Sequence, residues 1–231
     1  YVFDWNPRLG EPFEANGGTW QFQDSSILST EPYLVMERME GRPLSDVIST
    51  GMPEKRALEI LQQVCHVLAI LHLPVQRDSR EWRLIYQDLK PDNIMLGARD
   101  AVSLLDLGGC RLMVGSVVGN KGAFTPGYCP PECQTSDTLK PTADSYAVGS
   151  TLYHMLTGRS PAEFLGSNAA VGGAQSVAFR NWDWMVLEQR VRRETYSFVR
   201  RCLAEKAADR PADGGVLVDE IATLLQRVNS P

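Results

Sequence analysis

Ile94–Leu96 and Val102–Leu105 are two short apolar runs on either side of the turn residues Gly97–Asp100, a spacing that folds the chain back on itself as a tight hairpin. Its open ends carry Asn93 and Asp106, which the fold-back leaves side by side. Two hard oxygen donors flanking a hairpin, without His or Cys, suit Mg²⁺, which takes a few protein oxygens together with water and phosphate oxygens. Asp88 and Lys90 stand just upstream, where a reacting group beside such a metal would lie.

The full stretch reads Leu84-Ile85-Tyr86-Gln87-Asp88-Leu89-Lys90-Pro91-Asp92-Asn93-Ile94-Met95-Leu96, followed by Leu104-Leu105-Asp106-Leu107-Gly108. It resembles the catalytic loop and metal loop of bacterial eukaryotic-like serine/threonine protein kinases. Its wording is close to the soluble protein kinase G type, and many bacterial relatives share parts of it. The resemblance implies an α+β, protein-kinase-like fold: a mainly helical large lobe, with only the last strands of the small lobe present. It implies that Asp88 orients a substrate hydroxyl and accepts its proton. Lys90 would neutralise charge on the transferred phosphoryl group, Asn93 and Asp106 would hold Mg²⁺, and ATP would be the donor. Protein Ser/Thr hydroxyls would be the acceptors, and Lys at the position of Lys90 is what Ser/Thr-specific members carry. These residue types make physical sense together, because phosphoryl transfer asks mostly for positioning and charge neutralisation.

Further motifs follow in the family's order. Phe124-Thr125-Pro126-Gly127-Tyr128-Cys129-Pro130-Pro131-Glu132 resembles the end of an activation segment, with Pro130 in place of the usual Ala. By resemblance Thr125 bridges Asp88 and Lys90. Glu132 is then a buried carboxylate in need of a cation, and Arg210 in Ala208-Asp209-Arg210-Pro211 is the candidate, as a fold-holding pair. Asp144, in Thr142-Ala143-Asp144-Ser145-Tyr146-Ala147-Val148-Gly149, is expected to accept hydrogen bonds from the catalytic-loop backbone.

Toward the start, Tyr33-Leu34-Val35-Met36-Glu37-Arg38-Met39-Glu40-Gly41 resembles the last small-lobe strand and the hinge. Met36 would be the gatekeeper, and the backbone of Glu37 and Met39 would meet adenine, with Lys90, Asn93 and Asp106 completing the nucleotide site. Tyr1-Val2-Phe3-Asp4-Trp5 reads as the preceding strand. The expected division is a small-lobe remnant over 1–41 and a large lobe over 42–231. There is no Gly-x-Gly-x-x-Gly loop, no Val-Ala-x-Lys strand and no helix bearing its Glu partner; Gly17-Gly18 is an ordinary loop pair. Two explanations compete, a fragment beginning inside the small lobe and a pseudokinase serving as an interaction scaffold. The fragment reading is favoured because all four loop groups stay in register, and such a piece alone is expected to be weak or inactive for want of its phosphate cover. Sequence upstream of Tyr1 would discriminate the two. A small-molecule kinase of related fold is disfavoured by the Thr-Pro-Gly-Tyr and Pro-Pro-Glu platform, which serves peptide substrates.

The rest of the chain is consistent with a soluble globular protein: 231 residues, 43% hydrophobic and 22% charged, allow a substantial core. A net charge of −5 argues against nonspecific nucleic-acid binding, and no apolar run reaches the length of a membrane helix. Five cysteines without paired Cys-x-x-Cys spacing point to a reducing cytoplasm; Cys129 and Cys133 bracket the Pro-Pro-Glu turn and Cys110 follows the metal loop, where a redox switch competes with ordinary half-buried thiols, the favoured reading. His66, His72 and His154 share no ligand spacing. Helices are expected from Pro53 to Leu73, with Pro53 in the first turn, from Ser145 to Leu156, from Leu187 to Cys202 and from Val216 to Val228. Trp182 and Trp184 read as core aromatics. Arg77 to Arg83 reads as a solvated insertion, with a docking loop as the minority alternative, and Leu165 to Ser176 as a mobile loop.

Gln87 precedes Asp88 where many kinases place an Arg that binds a phosphate on the activation segment, and Tyr86 stands in place of His. A neutral amide cannot make that charge-assisted contact. Activity is therefore expected not to depend on phosphorylating the segment from Asp106 to Glu132. Alanine at Ser116 and Thr135 together should leave folding, ATP affinity and activity intact; loss of activity alone would sink the idea.

Overall fold

The computed structural model describes residues 39–115, 117–118, 125–135, 139–164 and 182–230. Tyr1–Trp5, Met36, Glu37, Phe124 and the expected loop from Leu165 to Ser176 lie outside the described residues. Of the chain's two compact units, Tyr1–Met39 and Glu40–Pro231, the second carries every element named below.

Helix α1, Glu54–His72, buries Ala57, Ile60, Leu61, Val64, Leu68 and His72 on one face at helical spacing. Pro53 is its cap residue, one position before the first turn in which it was expected. Strand β1 is Arg42–Pro43 and is followed by a 3-10 turn at Leu44–Val47, with Leu44 in the core. The anticipated hairpin is present as β4, Ile94–Leu96, and β5, Val102–Leu104, in register Ile94↔Leu104 and Leu96↔Val102; with β1 they form a three-stranded sheet, ordered β1-β4-β5.

The stretch expected as a solvated insertion is in fact regular. Val75–Arg77 (β2) and Arg80–Ile85 (β3) form an antiparallel pair around Asp78 and Ser79, both at positive φ, as a two-residue hairpin turn requires. Arg111–Val114 (β6) lies on the other side of β3, and Val117–Val118 (β7) completes the order β2-β3-β6-β7. The charges disguised these strands: β2 is exposed throughout and β3 mixes exposed and partly buried positions before burying Ile85.

The short helix α2, Glu132–Thr135, precedes α3, Thr142–Thr157, which is buried on nearly every side. Gly158 ends α3 at φ +73, a conformation that favours Gly over residues with a Cβ. The expected single helix from Leu187 to Cys202 is two: α4, Trp184–Glu188, and α5, Arg193–Cys202. Between them the chain turns so that the Arg190 guanidinium donates to the carbonyls of Thr50 and Leu156 and the Arg192 amide donates to Glu54. No Gly or Pro marks this break, so helical spacing ran through it. Helix α6, Gly214–Asn229, packs along α1.

One core joins α1, α3, α5 and α6 and includes Tyr86, Leu89 and Ile94 from the hairpin approach, so the polar residues between them are set on a rigid floor. A second, smaller cluster contains Ile85, Met113, Cys129, Cys133, Leu139 and Ala143. Trp182 and Trp184 stack with their ring centroids 5.9 Å apart beside Tyr153 and Phe164, an aromatic group built into the core wall. Among the described residues no helix is long and apolar enough to cross a membrane.

Gly214 opens α6 against the backbone of Leu68 and Ala69, and a methyl group at its Cα would overlap both. Gly214→Ala should cost about 2 kcal/mol and lower Tm by roughly 4 to 8 °C. Gly215→Ala, one residue on and exposed, should stay within about 1 kcal/mol of the wild type by chemical denaturation.

Candidate active site

Asp88, 9% exposed, is the centre of a small polar cluster. Its Oδ1 accepts from Thr125 Oγ1 at 2.6 Å, and Oδ2 lies 3.0 Å from Lys90 Nζ. Lys90 Nζ also donates to Thr125 Oγ1 at 2.7 Å, so Thr125 bridges the acid and the amine. Asn93 Nδ2 donates to the Asp88 carbonyl at 2.8 Å and to Oδ2 at 3.1 Å. With its Nδ2 turned to Asp88, the amide of Asn93 keeps its oxygen for another partner. Three residues, two from the same loop and one from a distant segment, thus meet at the Asp88 carboxylate.

Asp106 ends the hairpin at φ +53 and accepts from the Gly108 amide at 3.2 Å, in an exposed turn. The Leu105 amide donates to the Asn93 carbonyl at 2.8 Å, which ties the two loop ends together through the backbone. The Tyr86 hydroxyl donates to the Leu105 carbonyl, a second tie between the loops. Burial, followed by the nearby Cys110, Asp106, Asp88 and Asp144, pushes the Tyr86 phenol far above its ordinary range, so it stays protonated and a donor. Met39 is described, exposed and outside any regular element.

The approach to Asp88 is held from below. Asp144, fully buried, accepts the Tyr86 amide at 2.8 Å on Oδ2 and the Gln87 amide at 2.7 Å on Oδ1. His72 Nε2 lies 2.8 Å from the same Oδ2, while His72 Nδ1 accepts from the Gly214 amide at 2.8 Å. Because Nδ1 accepts, the proton on Nε2 points at Asp144. Gln87 itself sits at φ +70 with the Asp88 amide donating to the Tyr86 carbonyl, a tight three-residue turn that few side chains tolerate. No periodicity announces this turn, and the lack of metal-ligand spacing at His72 hides its role; its place at the last turn of α1 is the available signal.

The Glu132–Arg210 pair is bidentate, Nη1 to Oε1 at 2.5 Å and Nη2 to Oε2 at 3.0 Å, and Arg210 also donates to the carbonyls of Ala204, Glu205 and Thr142. Every donor of this buried guanidinium is thereby used. Tyr128 and His154 share a 2.7 Å hydrogen bond, and burial holds the His154 imidazole below its usual range against the opposing pull of Glu163 and Asp92. All five cysteines are free thiols. Burial pushes Cys110 up to about 11 and Cys129 up to about 12, and raises Cys65, Cys133 and Cys202 as well, so thiolate is scarce at neutral pH.

A family model described as the protein kinase domain matches residues 20–223. The chain is 34% identical over 142 residues to the serine/threonine-protein kinase PknB of Mycobacterium leprae, covering 59% of this chain and 21% of that protein. It is 26% identical over 246 aligned positions to the serine/threonine-protein kinase A of Synechocystis sp., covering 98% of this chain and 47% of that protein. To Pkn1 of Myxococcus xanthus the identity is 33% over 150 residues, with 60% of this chain and 20% of that protein covered. The chain therefore spans less than half the length of each of these curated relatives.

Removing the Glu132 carboxylate leaves Arg210, whose side chain is fully buried, without its counter-charge. Glu132→Ala should destabilise by about 3 kcal/mol, read as a lower denaturant midpoint. An unchanged midpoint would mean that water or a neighbouring carbonyl replaces the pair.

Proposed function

Because the chain belongs to the protein kinase domain family, we propose that the protein to which it contributes is a serine/threonine kinase, transferring the γ-phosphoryl of Mg-ATP to protein Ser/Thr hydroxyls. On this reading 42–231 is the large lobe and 1–41 the remnant of the small one. The observation that carries the proposal is the convergence of Lys90, Asn93 and Thr125 on the Asp88 carboxylate, with both oxygens engaged.

Asp88 orients the acceptor hydroxyl and takes its proton, with Lys90, Asn93 and Thr125 fixing the direction in which its carboxylate faces. Lys90 stands where charge would build on the phosphoryl oxygens, its ammonium shared between the Asp88 carboxylate and the Thr125 hydroxyl. Asn93 and Asp106 would hold Mg²⁺ through the amide oxygen and the carboxylate, and the metal would supply charge neutralisation to the phosphates. The donor set suits it: two hard oxygens on loop ends joined by the 2.8 Å bond from Leu105 to Asn93. The nucleotide reading extends to Lys90 and to the backbone of Met39 and, outside the described residues, of Met36 and Glu37. The reading as a noncatalytic scaffold gains no specific observation. The odd number of cysteines and their lack of paired spacing support a reducing cytoplasm as the simplest home.

In the full-length protein, Asp88→Asn should lower phosphoryl transfer to a protein substrate by about 10² to 10⁴-fold and leave the affinity for Mg-ATP within about twofold. Transfer that survives at the wild-type rate would remove Asp88 from the chemistry. Wild-type protein that binds no Mg-ATP would favour the scaffold.

A further inference from the structure

The function proposed above leaves the β2–β3 hairpin unused, although it is the part of the chain that departs most from the sequence expectation. Strand β3 pairs with all four residues of β6: Trp82↔Val114, Arg83↔Met113, Leu84↔Leu112 and Ile85↔Arg111. Beyond the Trp82↔Val114 pair the Gly115 amide donates to the Glu81 carbonyl at 2.8 Å. Had the chain entered β3 only at Leu84, Met113 and Val114 would have no partner on this side. The residues from Arg80 to Arg83 thus double the length of the ladder.

The position of that ladder matters. Ile85 stands three residues before Asp88, and Arg111 five residues after Asp106. Farther along, Thr125 returns to Asp88 and Lys90. The run from Arg111 to Thr125 is therefore tied to the catalytic loop at both ends, by β3 at its start and by a hydroxyl at its finish.

Trp82 is the rivet of the hairpin. It stands directly opposite Val75 of β2 and Val114 of β6, in the middle strand between them, and directly opposed residues share a face of the sheet. Its indole Nε1 donates to the Arg77 carbonyl at 3.1 Å and closes the turn, while Arg83 Nε meets Glu81 Oε1 at 2.8 Å on the same strand. Arg111 is a cation on the opposite, buried face, 3% exposed, with Nε and Nη2 unpartnered among the described residues. An anion at that edge would be a rival means of holding the segment.

We infer that the Val75–Ile85 hairpin, through Trp82, positions the segment after Asp106 for the transfer reaction, so that a backbone ladder does the holding for which Gln87 cannot recruit a phosphate. Trp82 touches no reacting atom and acts through β6. The inference rests on the kinase reading for its catalytic consequence, but the ladder itself can be read without activity.

The test uses the full-length protein and four variants: Trp82→Ala, Trp82→Phe, the exposed-tip double change Asp78→Val with Ser79→Val, and Arg111→Met. Amide exchange over Arg111–Gly115 should speed up by about tenfold or more in Trp82→Ala and in the tip variant, and return toward wild type in Trp82→Phe. For a protein substrate, kcat/KM should fall by about tenfold in Trp82→Ala and about threefold in the tip variant, with Mg-ATP affinity within about twofold. Arg111→Met should keep at least about half of the activity. The tip lies away from the core, so that variant decides the matter if Trp82→Ala does not fold. Unchanged exchange, unchanged kcat/KM in a wild type that is active, or equal losses of ATP affinity and turnover would each overturn the inference. So would a loss in Arg111→Met matching Trp82→Ala while the ladder amides stay protected, which would put the hold on an anion. A wild type with protected ladder amides and no transfer would instead overturn the kinase reading.

Discussion

Everything at the candidate site hangs on one carboxylate that no solvent reaches. Asp144 sits in the first turn of α3, and its two oxygens receive the amides of Tyr86 and Gln87 and the ring proton of His72. A buried carboxylate without donors would cost several kcal/mol, about the whole margin of a small domain. With three donors it becomes a fixed point from which the tight turn at Gln87 can be held, and that turn aims Asp88. The direction of dependence is clear from burial: the acid that would do chemistry keeps some access to solvent, and the acid that holds it keeps none.

The support is layered outward from there. Glu132 and Arg210 fasten the end of the segment that carries Thr125 to the loop before α6. His72 carries the contact from Asp144 to the first amide of α6, so the helix packed along α1 also closes the hydrogen-bond chain beneath the site. These are strong local contacts with few alternatives, because each involves a charged or fully buried group whose partners are all accounted for.

What could be read in the sequence follows this distinction. The hairpin at Ile94–Leu104 was legible because apolar runs and a turn signal stood within a few residues of each other. The pairing of Glu132 with Arg210, the catalytic-loop amides that donate to Asp144 and the bridge at Thr125 are what the resemblance implies, whereas the third donor, His72, is not; none of them has a local spacing that composition could supply. Three features were not legible. The strands at Val75–Arg77 and Arg80–Ile85 are exposed and charged, so they lack the alternation that marks a half-buried strand. The break between α4 and α5 is made by Arg190 capping distant carbonyls, without Gly or Pro. The positive φ at Gln87 is enforced by Asp144 rather than chosen by the residue, which is tertiary structure overruling local preference.

The bonds around Asp144 also have a consequence in time. They join residues separated by 58, 72 and 142 positions along the chain, the last linking His72 to Gly214. Contacts of such range close large loops and are made late, after local helices have formed and the ends have met. A chain emerging from synthesis would carry the apolar hairpin long before α6 exists to complete the floor beneath Asp88. The floor beneath Asp88 is therefore among the last parts of such a chain to be completed.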